Sequence, residues 1–108
     1  NGRLLASGSE DRTVKIWDVN TGTQLTNLSG HKGRLISVVF SPDGKQLASA
    51  GGDNEIKVWN VENGSEIYTF RGKAQAVYSL VFSPDGKTLA SGGNYPIVQL
   101  WDIENGKE

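Results

Sequence analysis

Apolar and polar positions along this chain fall in short runs, and no stretch repeats at helical spacing over a useful length. RLISVVF, Arg34 to Phe40, is β-branched and aromatic and apolar on both pleat faces, which predicts a strand buried on both sides. QLASA, Gln46 to Ala50, is a second short strand of small residues, suited to close approach between packed sheets. EIKVWNV, Glu55 to Val61, alternates around Trp59. EIYTF, Glu66 to Phe70, carries charge at its start, as expected near an outer sheet edge. Turn residues separate these runs. In SPDGK (41–45), Pro42 presets φ and Gly44 is free to take φ > 0; Gly51 to Asn54 form a glycine-containing loop; Asn63-Gly64 is a strong hairpin signal. One stretch of chain thus predicts four short antiparallel strands.

The unit recurs. SPDGKQLASA (41–50) and SPDGKTLASG (83–92) agree at eight of ten positions and stand 42 residues apart, as do Trp17, Trp59 and Trp101. A four-stranded sheet that is apolar on both faces cannot bury itself alone. It must be sandwiched between copies of itself, and the closed form of such a stack is the β-propeller. The fold class expected is therefore all-β, with four-stranded antiparallel propeller blades in an incomplete ring. Residues 1–29 read as a blade lacking its inner strand, 30–71 as a complete blade and 72–108 as a blade lacking its outer strand. The 108 residues hold about 2.6 periods, whereas closed rings contain about 4–8 blades. Two expectations follow: a piece of a larger ring, or a unit whose copies associate through open blade faces to complete a propeller.

Composition narrows the chemistry. The net charge is −1, the charges are interspersed and no basic stripe is present, so neither nucleic acid nor an anionic membrane is an expected partner. No apolar run approaches a membrane span and no secretory signal is visible. The lack of cysteine suits a reducing compartment, and cytoplasmic location is the expectation. The chain begins Asn1-Gly2 without methionine, which reads as a segment of a longer product or a processed piece.

His31 is the single histidine, and no second His, no Cys and no unique carboxylate cluster accompanies it as a metal or catalytic centre needs. Of the paired acids Glu10-Asp11, Asp53-Glu55 and Glu104-Glu108, Asp11 and Asp53 recur at the repeat period. The others fall in turns or strand ends, where acids are expected to be solvated. No G-x-x-x-x-G-K-[ST] phosphate loop occurs. No enzymatic activity, catalytic residue, metal or cofactor is expected.

Gly30-His31, then SPDGKQLASAGGD, then IKVWN, with VKIWD and VQLWD around Trp17 and Trp101, resemble the WD-repeat family over essentially the whole chain. The resemblance implies a hydrogen-bonded tetrad of His, Ser or Thr, Asp and Trp in each blade. The matching residues are His31, Ser49, Asp53 and Trp59 in the middle blade, Ser7, Asp11 and Trp17 in the first, and Ser91 and Trp101 in the third. In the third blade Lys73 and Tyr95 stand where the His and Asp belong, so that blade is expected to be held by packing.

The implied function is a non-catalytic protein–protein interaction scaffold whose partners are proteins or peptides meeting the propeller's top, with homo-oligomers through the blade faces as the alternative. The family's usual contact positions fall on Glu10, Gly52 and Asn94 before the tetrad Asp, on Ile36 and Tyr78 five residues after the tetrad His, and on Arg34 and Ala76 three after it. Tyr78 and Arg34 are residue types that often anchor interfaces. The alternative is that Ile36 and Tyr78 fill the channel neck while Arg34 is solvated.

Overall fold

The structure is a computed structural model that describes residues 4–8, 12–31, 33–52, 55–72, 77–93 and 98–108, with Tyr78 described by its backbone. Ten strands follow one another without a helix among the described residues: β1 Leu4–Gly8, β2 Thr13–Asp18, β3 Thr23–Ser29, β4 Leu35–Phe40, β5 Gln46–Gly51, β6 Glu55–Asn60, β7 Glu66–Arg71, β8 Val77–Phe82, β9 Thr88–Gly93 and β10 Gln99–Asp102. They form three antiparallel sheets, each a simple meander: β1-β2-β3, then β4-β5-β6-β7, then β8-β9-β10.

The repeated SPDG segment uses nearly every residue in its turn. Gly44 takes φ +73° and donates its N–H to the Ser41 carbonyl at 2.9 Å. Ser41 Oγ donates to Asp43 Oδ1 at 2.7 Å and accepts the Gln46 N–H at 3.0 Å, while Asp43 Oδ1 accepts the Lys45 N–H at 2.9 Å. The second copy repeats this with Gly86 at φ +73°, Ser83, Asp85, Lys87 and Thr88. The turn is closed by side chains that bond their own backbone, which is why the tetrapeptide recurs intact.

The sheets stack face on face, with two cores between them. Call the face of each sheet that carries its tryptophan the Trp face. The opposite face of the first sheet (Val14, Ile16, Leu28) packs on the Trp face of the second (Leu47, Trp59). The opposite face of the second (Ala48, Val58, Phe70) packs on the Trp face of the third (Leu89, Trp101). Phe70 stacks on Trp101 across this second interface, with ring centroids 4.9 Å apart and planes 17° apart. The small residues of β5 let the sheets approach: Ala48, Ser49 and Ala50 are all fully buried.

Two expectations need correcting. β4 is covered on both sides but only partly: Val38 and Phe40 pack against the first core and Val39 against the second, while Arg34 and Ile36 are exposed, because β4 is the edge strand of its sheet. Glu55 is not a solvated strand-end acid. It is 5% exposed and pairs with Arg71 at 2.8 Å, since its position on β6 turns it into the interface rather than outward.

Candidate functional site

β5 and β6 place Ser49 directly opposite Lys57, and Trp59, two residues on, shares that face. The diagonal offset is within reach of a large side chain. Ser49 Oγ accepts the Trp59 indole N–H at 2.8 Å and lies 2.6 Å from His31 Nε2. All three are buried, and the His31 and Trp59 rings lie 6.3 Å apart. The indole can only donate, so it occupies one lone pair of the hydroxyl. The remaining O–H and lone pair serve the imidazole, whichever ring nitrogen carries the proton. The same register gives Trp17 Nε1 to Ser7 Oγ at 3.1 Å and Trp101 Nε1 to Ser91 Oγ at 2.9 Å. Asp11 and Asp53, like Lys73 and Tyr95, lie outside the described residues.

A serine oxygen 2.6 Å from an imidazole has the reach of a nucleophile and its base. The surroundings oppose that use. Ser49 is completely buried, its oxygen is already taken by Trp59, and the same Ser–Trp bond recurs in both other sheets. The trio ties the loop before β4 to β5 and β6. Among the described residues, no three His, Cys, Asp or Glu side chains gather as metal ligands. No helix among them is long and apolar enough to cross a membrane.

The expected partner-contact residues that are described collect at one end of the middle sheet. Arg34 precedes β4, Ile36 is 43% exposed within it, and the exposed Gly52 donates its N–H to the Arg34 carbonyl at 2.8 Å. Pairing runs Leu35 to Gly51 and then Ser37 to Ala50, so Ile36 is the extra residue of a β-bulge. In the third sheet Val77 pairs with Gly93 and Ser79 with Gly92, which makes position 78 the matching bulge. A bulge re-aims a side chain out of the pleat. β4 and β8 pack side by side, so the two bulges neighbour one another. Glu10, Asn94 and Ala76 lie outside the described residues, as does the Tyr78 side chain.

One polar cluster escaped the sequence reading. Lys57 Nζ, almost fully buried, donates to Glu66 Oε1 at 2.9 Å and Thr69 Oγ1 at 3.1 Å and stands 4.0 Å from Glu55. The Thr69 hydroxyl, followed by the Lys57 ammonium, holds the Glu66 carboxyl below its usual range. One period later Gln99 donates to Glu108 Oε2 at 2.9 Å, a neutral version of the same pair. The only signal in the sequence is Lys57 and Glu66 flanking one hairpin. Lys57 is buried on the face of the middle sheet that the first sheet covers, while Glu66 stays exposed.

The sequence profile of the family described as WD domain, G-beta repeat matches residues 1–18, 22–60 and 64–102. Nuclear distribution protein PAC1-2 of Postia placenta is 50% identical over 44 residues, 41% of this chain and 10% of that protein. Transcription initiation factor TFIID subunit 5 of Caenorhabditis elegans is 49% identical over 45 residues, 42% of this chain and 7% of that protein. Coronin-7 of Mus musculus is 50% identical over 42 residues, 39% of this chain and 5% of that protein. Each likeness extends over about one 42-residue period and a tenth or less of the relative.

Proposed function

The chain belongs to the WD-repeat family, and from that premise we propose that it is a non-catalytic interaction scaffold presenting one end of its sheet stack to a protein or peptide. One observation carries this reading: the bulge that lifts Ile36 out of the pleat beside Arg34 and Gly52, next to the bulge at position 78. An exposed apolar side chain and a guanidinium on a rigid support suit a partner that offers an apolar anchor and a carboxylate. Glu10, Asn94, Ala76 and Tyr78 are the further contact positions in this proposal, and His31, Ser49, Asp53 and Trp59 hold the blade beneath them. The test is selection from a displayed random-peptide library. Recovered peptides should lose at least tenfold in affinity for Arg34→Glu and Ile36→Asp chains, and none for Glu104→Lys in a turn remote from them in sequence. Equal binding to all four chains would overturn the reading.

A second reading is association of copies through the open sheet faces. It is favoured by Leu5 and Leu100, exposed on the first and third sheets where Leu47 and Val58 at the equivalent positions of the middle sheet are buried.

A further inference from the structure

The three sheets show the same repeat position in three environments. On the Trp face, Leu5 is 57% exposed, whereas Leu47 and Leu89, one and two periods on, are fully buried. Val19 is exposed, Val61 packs against the first core and Ile103 is buried in the second. Trp17 is only partly buried, while Trp59 and Trp101 are buried. The opposite face shows the converse trend: Ile16 and Val58 are buried and Leu100 is 57% exposed; Val14 and Ile56 are buried and Val98 is exposed. Val81, Ala90 and Leu100 form one cross-strand row on that open face. Leu5 and Trp17 are direct cross-strand partners on the other.

Resting on the second reading above, we propose a fixed polarity for the association: the open face of the third sheet, Val81–Ala90–Leu100 with Val98, docks the open Trp17 face of a second copy. The support is continuity. The chain already makes this contact twice, first sheet on second and second sheet on third, each time placing a row of this kind against a Trp face. Both halves of the contact are present in every copy, on opposite sides of the stack. A face meeting its own kind would have no such internal precedent. The contact is heterologous, so each docked pair keeps one free face of each kind and the order propagates to a ring or a filament.

Two variants separate the possibilities. Leu5→Glu spoils only the Trp face and Leu100→Glu only the opposite one; both side chains are exposed, so the isolated chain should keep its far-UV circular dichroism. Val19→Glu and Val81→Glu repeat the pair at neighbouring exposed positions, in case either first choice perturbs folding. Light scattering after size exclusion at about 100 µM should show oligomers for the unmodified chain and monomers for either variant alone. An equimolar mixture of the two should give one-to-one pairs and nothing larger, because one intact face of each kind remains. If Leu100→Glu dissociates the oligomer and Leu5→Glu does not, copies meet like face to like face: the polarity is wrong and association stands. A chain that is monomeric throughout overturns both, and something other than a second copy then covers the face.

Discussion

Replacing Ser49 removes two hydrogen bonds at once, to His31 Nε2 at 2.6 Å and to Trp59 Nε1 at 2.8 Å, and leaves both groups buried beside a methyl. An unsatisfied buried polar group costs about 1–3 kcal/mol, so Ser49→Ala should lower stability by about 2–4 kcal/mol in urea denaturation. Ser7→Ala removes one 3.1 Å bond from Trp17, which water can reach, and should cost about 1 kcal/mol or less. Equal losses would mean that Ser49 carries no more than an ordinary Ser–Trp bond. The recurrence of the serine and the tryptophan every 42 residues was legible in the sequence, and their pairing was implied by the resemblance to the WD-repeat family. Ion pairing by Lys57 was not, because Lys57 recurs at Lys15 but is neutral at Gln99, and its burial depends on a sheet remote in sequence.

Strand positions and turns follow from local chemistry, and their predicted behaviour is local too. The Ser41 and Ser83 hydroxyls, then the Lys45 and Lys87 amides, hold the Asp43 and Asp85 carboxyls below their usual range. A carboxyl whose folded pKa is depressed contributes stability that is present above the unfolded value and is lost as pH falls through the folded one. The melting temperature should therefore stay level from neutral pH to the top of the carboxylate range and fall below it. Asp43→Asn with Asp85→Asn should flatten that acid limb; an unchanged limb would place the acid sensitivity elsewhere. Gly51 and Gly92 supply a second contrast. A Cβ on Gly51 would drive into the Arg34 carbonyl and lie 2.8 Å from Leu35 Cα, whereas one on Gly92 meets nothing within 4 Å. Gly51→Ala should cost about 1–3 kcal/mol and Gly92→Ala should be neutral or stabilise by about 0.5 kcal/mol, read from urea midpoints. The glycine run at 51–52 was visible in the sequence. The close approach that requires glycine at 51 arises from the bulge at Ile36, which no residue pattern announces.

Across the whole molecule, three sheets of one repeat pack in one direction, so the stack has two unlike ends. Propeller blades were legible because a sheet with two apolar faces needs a neighbour on each side. That the end sheets leave apolar faces open was expected too. Which residues form them, Leu5 and Val19 at one end and Val81, Val98 and Leu100 at the other, was set by the stacking, since the same repeat positions carry buried or core-packed apolar residues in another sheet. The mixing experiment on Leu5→Glu and Leu100→Glu belongs to this scale, because only the order of sheets distinguishes the two faces.

The 42-residue period, the turn chemistry of SPDG and Asn-Gly, and the strand pattern determined the elements and the kind of fold, because those depend on near neighbours in the chain. Tertiary structure alone decided which strand face is covered, that Glu55 and Lys57 are buried, and that Ile36 is lifted from the pleat. Each of these depends on what a second sheet, or a paired strand one residue out of register, places against the residue.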